Sequence, residues 1–332
     1  MSDMKPVAVY TESSDTDLTD GIALLEQAGF EVRVLDTRDS AQIVTHAGDA
    51  DVLLAGYASI TRDMFEQLPK LKLVALMSMG TDTVDVAAAT DHGVWVTNVP
   101  GAATEEVATH ALALILHWAR QLDYYTETSV ADVETWNSRA AVAPWRLSEQ
   151  TLGIIGLGRI GLKLAELAKP LFGRTLGYDP LLPDTDEVRA MLTEHGIERV
   201  SLETARQHSN VLSLHMPLTH ETDRLIDAAF IAEMPDRALI VNVSRGALLD
   251  SAAVAQAVCS GQLAGAAVDV LDVEPPPADH PLLGVEGVVV TPHVAYFSER
   301  TAAEYVRIQA QNAVTFHESG KPISSVNTIS QA

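Results

Sequence analysis

The stretch TLGIIGLGRIGLKLAELAKPLFGRTLGYD, residues 151–179, decides the fold of this chain. It begins with a short apolar run that is typical of a buried strand. Gly156, Gly158 and Gly161 follow in the spacing G-x-G-x-x-G, and an apolar face with helical periodicity comes next. A second short strand then ends at Asp179. A glycine motif in this strand–turn–helix–strand context predicts a dinucleotide-binding unit.

Each part of the motif has a separate physical role. Gly156 permits a tight turn, Gly158 lets a pyrophosphate approach the backbone, and Gly161 lets the helix pack close to the strand. The helix begins near Arg159 and Ile160. Its first N–H groups lack partners within the helix and lie at the positive end of the helix dipole, so we expect them to bind the phosphates.

The residue that ends the second strand indicates which dinucleotide is bound. We expect Asp179 to accept hydrogen bonds from the adenosine ribose and to repel a 2′-phosphate, which favours NAD. Residues 180–182, PLL, supply no nearby arginine for that phosphate. Concentrated salt would screen the repulsion, so NADP stays open as an alternative.

The charge balance restricts the partners of the protein. The 332 residues include 45 acidic and 22 basic side chains, for a formal net charge of −23, and the acids are spread along the whole chain. Nucleic acids and anionic membranes need a basic surface, so neither is an expected partner. An ordinary acidic enzyme would fit this composition. Adaptation to concentrated salt, where screening weakens repulsion between carboxylates, fits it better.

Cysteine content and apolar runs indicate the compartment. Cys259 is the only cysteine, which excludes an internal disulfide and a cysteine metal cluster, and we expect no metal site. The N-terminal residues lack the apolar region of a signal peptide, and no apolar run is long enough to span a membrane. We therefore expect a soluble, cytoplasmic protein.

Strands alternate with helices along the whole chain. This alternation predicts an α/β fold with doubly wound parallel sheets. Besides the two strands of the glycine motif, strands are predicted at 7–10, 32–35, 52–55, 73–77, 94–97, 211–214, 239–243, 265–270 and 288–291. Helices are predicted at 17–28, 61–68, 104–122, near 231, at 251–260 and at 299–317.

The pattern divides into two domains. The first, residues 1–99 with 299–332, has no glycine fingerprint and is predicted to bind the substrate, with the last helix returning to it. The second, residues 100–298, is predicted to bind the dinucleotide. Residues 124–145 have weak periodicity and two tryptophans. They fit equally well an arm that packs on a partner subunit and an excursion on the surface.

Polar clusters follow four strands of the second domain. They are HMP at 215–217, SRG at 244–246, Asp269 with the nearby Glu274, and PH at 292–293. Ligands of open α/β sheets bind beyond the carboxyl ends of the strands. We therefore expect all four clusters to face the cofactor.

Over nearly its whole length, the chain resembles the D-isomer-specific 2-hydroxyacid dehydrogenases. The matching segments are GTDTVD (80–85), NVPGAATEEVATHALAL (98–114), GLGRIG (156–161), HMPLTHET (215–222), VNVSRGALLD (241–250), AAVDVLDVEP (266–275) and TPHVAYFSE (291–299). The resemblance implies two Rossmann- or flavodoxin-like domains with the active site in the cleft between them, and a homodimer. It also implies reversible reduction of 2-oxo acids to D-2-hydroxy acids with a nicotinamide cofactor.

The resemblance places the catalytic residues at Arg245, Glu274 and His293. Their chemistry suits the reaction. A bidentate arginine can bind the carboxylate and the carbonyl of a 2-oxo acid. A histidine can donate a proton to the alkoxide that hydride transfer creates. The glutamate would orient the imidazole and favour its protonated form.

Further site residues follow from the same resemblance. Asp269 matches a residue that binds the nicotinamide carboxamide. His215 and Pro217 match the loop that lines the cofactor, and Thr222 and Val243 are also expected to bind it.

On the substrate side, the backbone N–H groups at Met79 and Gly80 resemble a carboxylate-binding loop. Many relatives carry an arginine at the position of Leu76, so we predict an apolar pocket wall that prefers branched or aromatic 2-oxo acids to oxaloacetate. This wall consists of Leu76, Met77, Met79, Tyr57 and Tyr296. For each of these residues the alternative is that it packs in the core.

A different class of function also fits the motifs. The segment HVAYFSE, residues 293–299, resembles the C-terminal-binding-protein branch, whose members are dinucleotide-sensing corepressors. That branch retains the catalytic residues, so the sequence leaves the alternative open. Turnover with a panel of 2-oxo acids distinguishes the two functions.

Overall fold

The computed structural model describes residues 5–13, 16–131 and 143–329. The chain divides into two compact units, Met1–Ala102 with Phe297–Ala332 and Ala103–Tyr296. We call them the first and second units. Their boundaries at 102 and 297 differ by a few residues from the predicted 99 and 299.

Strands and helices alternate along the described chain. The strands are β1 (Val7–Tyr10), β2 (Glu31–Val34), β3 (Val52–Ala55), β4 (Leu73–Leu76), β5 (Trp95–Thr97), β6 (Thr151–Ile155), β7 (Arg174–Tyr178), β8 (Ile197–Arg199), β9 (Val211–Leu214), β10 (Ala238–Asn242), β11 (Leu263–Val268) and β12 (Val288–Val290). The helices are α1 (Thr19–Gln27), α2 (Ser40–His46), α3 (Arg62–Gln67), α4 (Val86–Asp91), α5 (Thr104–Ala119), α6 (Leu122–Ala131), α7 (Arg159–Ala168), α8 (Asp186–His195), α9 (Leu202–His208), α10 (Ala228–Ala232), α11 (Ser251–Ser260) and α12 (Glu299–Ser319).

The first unit is built on a parallel sheet with the order β2-β1-β3-β4-β5. This is the flavodoxin-like doubly wound order. Every residue of β1, β3 and β4 is buried, as expected for parallel strands that helices cover on both faces. Ile43 of α2 and Phe65 of α3 belong to one apolar cluster, and Leu25 of α1 and Ala310 of α12 belong to another. The last helix, α12, lies in this unit.

The second unit is built on a parallel sheet with the order β12-β11-β10-β9-β6-β7-β8. The strand order reverses next to β6, because β7 lies on one side of it and β9 on the other. Open α/β sheets bind ligands at such a switch point, outside the carboxyl ends of the strands. The two parallel sheets confirm the predicted fold class.

Apart from α6, most of which lies in the segment 124–145, four helices and one strand were not predicted from the sequence: α2, α4, α8, α9 and β8. These helices have six to ten residues and bury few apolar side chains, so their periodicity is weak. Each begins with a side chain that caps its N-terminus. The capping residues are Asp39, Asp85, Thr185 and Ser201. Capping therefore carried the helix signal that the apolar pattern lacked.

The segment 124–145, for which an arm and a surface excursion were both open, lies partly outside the described residues, because residues 132–142 are not described. On its near side, α6 contains the beginning of the segment. On its far side, the ring of Trp145 packs edge-on against Trp118, with 4.8 Å between the ring centroids. In the described part of the chain, no helix combines the length and the apolar character needed to cross a bilayer.

Candidate active site

Two of the three fingerprint glycines have no room for a side chain. Gly156 has a φ of +96°, and a Cβ there would lie 2.5 Å from the carbonyl oxygen of His215. A Cβ at Gly161 would collide with the carbonyl oxygen of Gly156. These contacts hold the turn against the end of β9 and the helix α7 against the turn.

The remaining glycine has open space beside it. A Cβ at Gly158 would meet no atom within 4 Å. Gly158 is the N-cap of α7, and the first turn of this helix has neither an acidic residue nor a side-chain cap. Among the described residues, the N–H groups of Arg159, Ile160 and Gly161 have no acceptor. Open space over free N–H groups fits the pyrophosphate of a dinucleotide.

Asp179 lies beside this turn at the end of β7. Its Oδ2 atom accepts a hydrogen bond from the N–H of Leu157 at 2.9 Å, and Oδ1 accepts one from the N–H of Leu181 at 2.8 Å. The carboxylate is therefore held in one orientation at the glycine turn. Each oxygen retains a lone pair for a ribose hydroxyl.

The loop after β9 contains three of the predicted cofactor residues. Thr222 closes it by donating a hydrogen bond from its hydroxyl to the carbonyl of Pro217 at 2.9 Å. The ring Nε2 of His215 lies 2.8 Å from the hydroxyl of Ser213. Burial lowers the pKa of His215 to about 3, so this ring is neutral at physiological pH.

Arg245 lies in the loop after β10. The first residue of this loop, Val243, is buried. The side chain of Asn242 holds this loop by donating to the carbonyl of Arg245 at 2.9 Å and accepting from the N–H of Ser244 at 3.0 Å. A Cβ at Gly246 would collide with the backbone of Leu271. A glycine at this position therefore allows the arginine loop to pack against the loop after β11, which contains Glu274.

Glu274 and His293 form a hydrogen-bonded pair. The Nδ1 atom of His293 lies 2.6 Å from Oε2 of Glu274, whose Oε1 accepts a hydrogen bond from the N–H of Leu271 at 2.8 Å. Partial burial alone would raise the pKa of Glu274. The hydrogen bonds from His293 and Leu271, with the positive charges of His293 and Arg245, outweigh burial and bring this pKa below its ordinary value. The carboxylate therefore stays ionised and holds the imidazole with Nδ1 towards it and Nε2 away from it.

The backbone of His293 has a φ of +53°, in the left-handed region that costs a non-glycine residue about 1 kcal/mol or more. Asp269 holds it there. The N–H of His293 donates to the backbone carbonyl of Asp269 at 2.7 Å. The side chain of Asp269 accepts from the N–H groups of Val294 and Ala295 at 3.0 and 2.9 Å and from the hydroxyl of Thr291 at 2.5 Å.

The position of Asp269 bears on its predicted contact with the carboxamide. The residue is only 1% exposed, and its carboxylate is occupied with the loop of His293. What the structure shows for Asp269 is therefore support of the loop that contains His293. The contact with a carboxamide stays a prediction.

Two polar groups next to these loops were not predicted from the sequence. His110 of α5 lies with Nε2 at 3.0 Å from the hydroxyl of Thr291 and at 3.5 Å from Oδ1 of Asp269. The buried His280 lies with Nε2 at 2.7 Å from Oδ1 of Asp272. His110 was visible only within the segment 98–114, and nothing in the sequence linked His280 to Asp272.

The predicted aromatic wall residue of the second unit, Tyr296, lies next to His293. The ring of Tyr296 packs edge-on to the imidazole of His293, with 6.3 Å between the ring centroids. Among the described residues, no group of three His, Cys, Asp or Glu side chains is arranged to hold a metal ion.

In the first unit, the predicted substrate residues follow the neighbouring strands β3 and β4. Tyr57 comes shortly after β3, and Met77, Met79 and Gly80 come after β4, so the two segments leave the same edge of the sheet. The side chain of Gln309 in α12 joins these strands by donating to the carbonyls of Ala55 and Ala75.

Leu76 differs from the prediction. Its side chain is fully buried within the apolar core of the first unit. We therefore assign Leu76 to the core and remove it from the predicted pocket wall. The cause is its position as the last residue of a strand that helices cover on both faces.

A cation lies beside Tyr57, although the sequence pattern contained no sign of it. The guanidinium of Arg38 lies 4.7 Å from the centroid of the Tyr57 ring. The carboxylate of Glu12, which is 4% exposed, accepts hydrogen bonds from the N–H groups of Tyr57 and Ala58 and lies 3.8 Å from Nε of Arg38. The surroundings of Tyr57 are therefore less apolar than predicted.

Known proteins similar to this chain point to one family. A model of the D-isomer specific 2-hydroxyacid dehydrogenase NAD binding domain matches residues 112–295, more than half of the chain. A glyoxylate reductase of Korarchaeum cryptofilum is 37% identical over 86% of this chain and 85% of its own length. A glyoxylate reductase of Aeropyrum pernix is 36% identical over the same shares. The D-mandelate dehydrogenase of Rhodotorula graminis superposes with a TM-score of 0.86 at 26% identity, covering 98% of this chain and 99% of its own.

The glycine turn over free N–H groups, the hydrogen-bonded pair of Glu274 and His293, and these similarities agree. The chain belongs to the D-isomer-specific 2-hydroxyacid dehydrogenase family and is an NAD(P)-dependent oxidoreductase that interconverts 2-oxo acids and D-2-hydroxy acids.

Proposed function

We propose that Arg245, Glu274 and His293 are the catalytic residues of this reaction. The observation that carries the proposal is the 2.6 Å contact between Nδ1 of His293 and Oε2 of Glu274. It leaves Nε2 as the nitrogen that exchanges a proton. The positive charge of Arg245 acts on the same carboxylate.

The roles follow from the charge changes in the reaction. Bound NAD(P)H supplies a hydride to the carbonyl carbon of the 2-oxo acid. Arg245 binds the substrate carboxylate and polarises the carbonyl, which stabilises the developing negative charge on oxygen. His293 donates the proton on Nε2 to that oxygen, and Glu274 stabilises the imidazolium before the transfer. In the reverse direction, His293 accepts the proton of the hydroxyl group.

For the cofactor, we propose a preference for NAD over NADP. The orientation of Asp179 supports it, because its fixed carboxylate would repel a 2′-phosphate. Arg199 does lie near the loop after Asp179, but its guanidinium donates to the carbonyls of Leu182 and Pro183 at 2.5 and 3.1 Å. Its charge is therefore engaged with the backbone.

For the substrate, we propose that the N–H groups of the loop at Met79 and Gly80 bind the carboxylate. Met77, Tyr57 and Tyr296 would contact an apolar side chain, so 2-oxobutyrate, 2-oxovalerate and 2-oxoisocaproate are expected to have a higher kcat/KM than oxaloacetate. Each buried CH₂ contributes about 0.8 kcal/mol. Arg38 is the residue most able to oppose this preference, since it places a cation at Tyr57.

A steady-state assay tests these proposals. The wild-type protein is assayed with each 2-oxo acid, with glyoxylate and hydroxypyruvate included, and with NADH or NADPH at low and high salt. His293→Ala should lower kcat by about 10²–10⁴-fold while the Kd of NADH stays unchanged. Turnover that survives this change would assign the proton donor elsewhere. A protein that binds NADH and turns over no 2-oxo acid would instead favour the corepressor function.

The substrate preference has its own control. Arg38→Ala removes the cation at Tyr57 and should widen the gap between 2-oxobutyrate and oxaloacetate. An unmodified protein that prefers oxaloacetate would contradict the apolar wall. Leu76→Arg, which the sequence pattern would suggest as the complementary change, is unsuitable because it would bury a charge in the core.

We further propose that the protein is a cytoplasmic homodimer adapted to concentrated salt. The large negative charge supports the salt adaptation, and the family resemblance supports the dimer. Sedimentation at several salt concentrations tests both: a monomer under all conditions would contradict the dimer.

A further inference from the structure

The loop after β4 has an unusual arrangement of backbone hydrogen bonds. The backbone carbonyls of three consecutive residues in this loop accept hydrogen bonds from other groups of the first unit. The carbonyl of Ser78 accepts from the N–H of Val99 at 3.0 Å, that of Met79 from the side chain of Asn98 at 2.7 Å, and that of Gly80 from the hydroxyl of Ser78 at 2.7 Å.

The same peptide units contain the N–H groups of Met79, Gly80 and Thr81. Among the described residues, none of these three groups has a hydrogen-bond acceptor. In a planar trans peptide the N–H points away from the carbonyl, so the group that fixes each carbonyl also fixes the direction of the N–H. A run of free, oriented N–H groups is a binding feature for anions.

The central contact of this arrangement is the one from Asn98 to Met79. Asn98 is itself held from the far end of the chain. Its N–H donates to the carbonyl of Ser324 at 3.3 Å, and its carbonyl accepts from the side-chain amide of Asn312 in α12 at 3.3 Å. The side-chain oxygen of Asn312, Oδ1, accepts from the N–H of Ser324 at 3.0 Å.

Asn312 is 1% exposed, so its amide has no water to replace these partners. Both backbone polar groups of Asn98 are occupied, which holds in place the backbone from which its side chain reaches the carbonyl of Met79. The position of one loop peptide is thus set through two asparagines by the last helix of the unit.

We propose that Asn98 is a positioning residue for the substrate, with Asn312 as its support: together they orient the peptide between Met79 and Gly80 so that the N–H of Gly80 meets the carboxylate of the 2-oxo acid. The proposal rests on the proposed substrate-binding role of this loop. Neither asparagine is expected to touch the reacting atoms.

The expected result is a separation of KM from kcat. Asn98→Ala frees the carbonyl of Met79, so the KM for a 2-oxo acid should rise by about tenfold or more, the lower end of what loss of a hydrogen bond to a charged group costs. The kcat should change less, and the Kd of NADH should not change. Asn98→Asp should raise KM at least as much, because it places a carboxylate oxygen against the carbonyl of Met79.

Direct binding provides a second readout. Oxamate carries the same carboxylate as a 2-oxo acid, and its Kd in the presence of NADH should rise in parallel with KM. Asn312→Ala should raise both values in the same direction. Because the two asparagines act in series, the double variant should resemble Asn98→Ala and should not show the sum of the two effects.

A matched control is available in the same unit. The side chain of Asn327 accepts from the N–H of Val96 at 2.9 Å and donates to the carbonyl of Val94 at 2.9 Å and to the hydroxyl of Thr90 at 3.0 Å. Within the described residues, none of these hydrogen bonds reaches the loop at Met79. Asn327→Ala should therefore lower Tm and leave the KM for the 2-oxo acid unchanged. Where Asn98→Ala does not fold, Asn98→Ser and Asn312→Ala are judged by the same criterion.

The outcomes separate this inference from the proposed function. Wild-type protein that reduces no 2-oxo acid would refute the proposed function and this inference with it. Active wild-type protein with folded Asn98 variants of unchanged KM and unchanged oxamate Kd would overturn the inference alone. A rise in KM for Asn327→Ala as large as that for Asn98→Ala would overturn it as well, since the effect would then be one of general stability.

Discussion

Replacing Gly158 by alanine tests the cofactor site without disturbing the fold. Gly158 has a φ of −73° and a ψ of −169°, which any residue can adopt, and a Cβ there meets no atom within 4 Å. In the free protein the methyl group is therefore accommodated. In the complex it would occupy the space beside the free N–H groups of α7, where the pyrophosphate is expected.

The magnitudes follow from these observations. Alanine restricts the unfolded chain, which stabilises the protein by about 0.4–1 kcal/mol, and it is a poorer N-cap than glycine, which costs a similar amount. Tm should therefore hardly change. Losing two hydrogen bonds from N–H groups to phosphate costs about 3 kcal/mol at the lower end, which corresponds to a roughly 100-fold higher Kd of NADH.

The assay is a fluorescence titration of NADH with a parallel thermal melt. Gly48→Ala is the matched control, because its nearest contact would be an ordinary 3.7 Å to the carbonyl oxygen of Val44. It should change neither value. Gly161→Ala is the opposite control, since its Cβ collides with the carbonyl of Gly156 and should lower Tm clearly. A folded Gly158→Ala protein that binds NADH as tightly as wild type would refute the assignment of the pyrophosphate to this turn.

Three further predictions concern charge. Because the pKa of Glu274 lies below its ordinary value, the stability that its carboxylate contributes is complete above the unfolded pKa of about 4.3 and is lost as pH falls through the folded pKa. Glu274→Gln should therefore weaken the fall of Tm at acid pH, and it should lower kcat. An unchanged pH–rate profile would contradict the role of Glu274. The folded pKa of His215 is about 3 and the unfolded pKa is about 6.5, so between these values only the unfolded chain takes up the proton, and stability decreases as pH is lowered. His215→Asn should remove this dependence of Tm on pH. Superimposable Tm–pH curves for the variant and the wild type would disprove it. With a net charge of −23, the protein should melt at higher temperature in molar KCl than in dilute buffer, and a flat or falling Tm would rule out salt adaptation.

Local signals determined much of this protein in advance. Gly156, Gly158 and Gly161 predict the turn from contiguous sequence because each glycine acts on its immediate neighbours and on one adjacent strand. Buried strands such as β3 and β9 are short apolar runs that need no distant information, and the bounds predicted for them match the structure. The family resemblance selected Arg245, Glu274 and His293, and their positions after predicted strands agree with it, because carboxyl ends of parallel strands share one edge of a sheet.

The tertiary structure decided what depends on distant contacts. Asn312 supports Asn98 across 214 positions of the chain, and such a pairing leaves no periodicity for sequence analysis to detect. Leu76 could have faced a ligand or the core, because a strand buried on both faces has the same apolar pattern in either case. Arg38 comes to lie over Tyr57 only because β2 and β3 flank β1 in the sheet, and strand order is a property of the assembled fold.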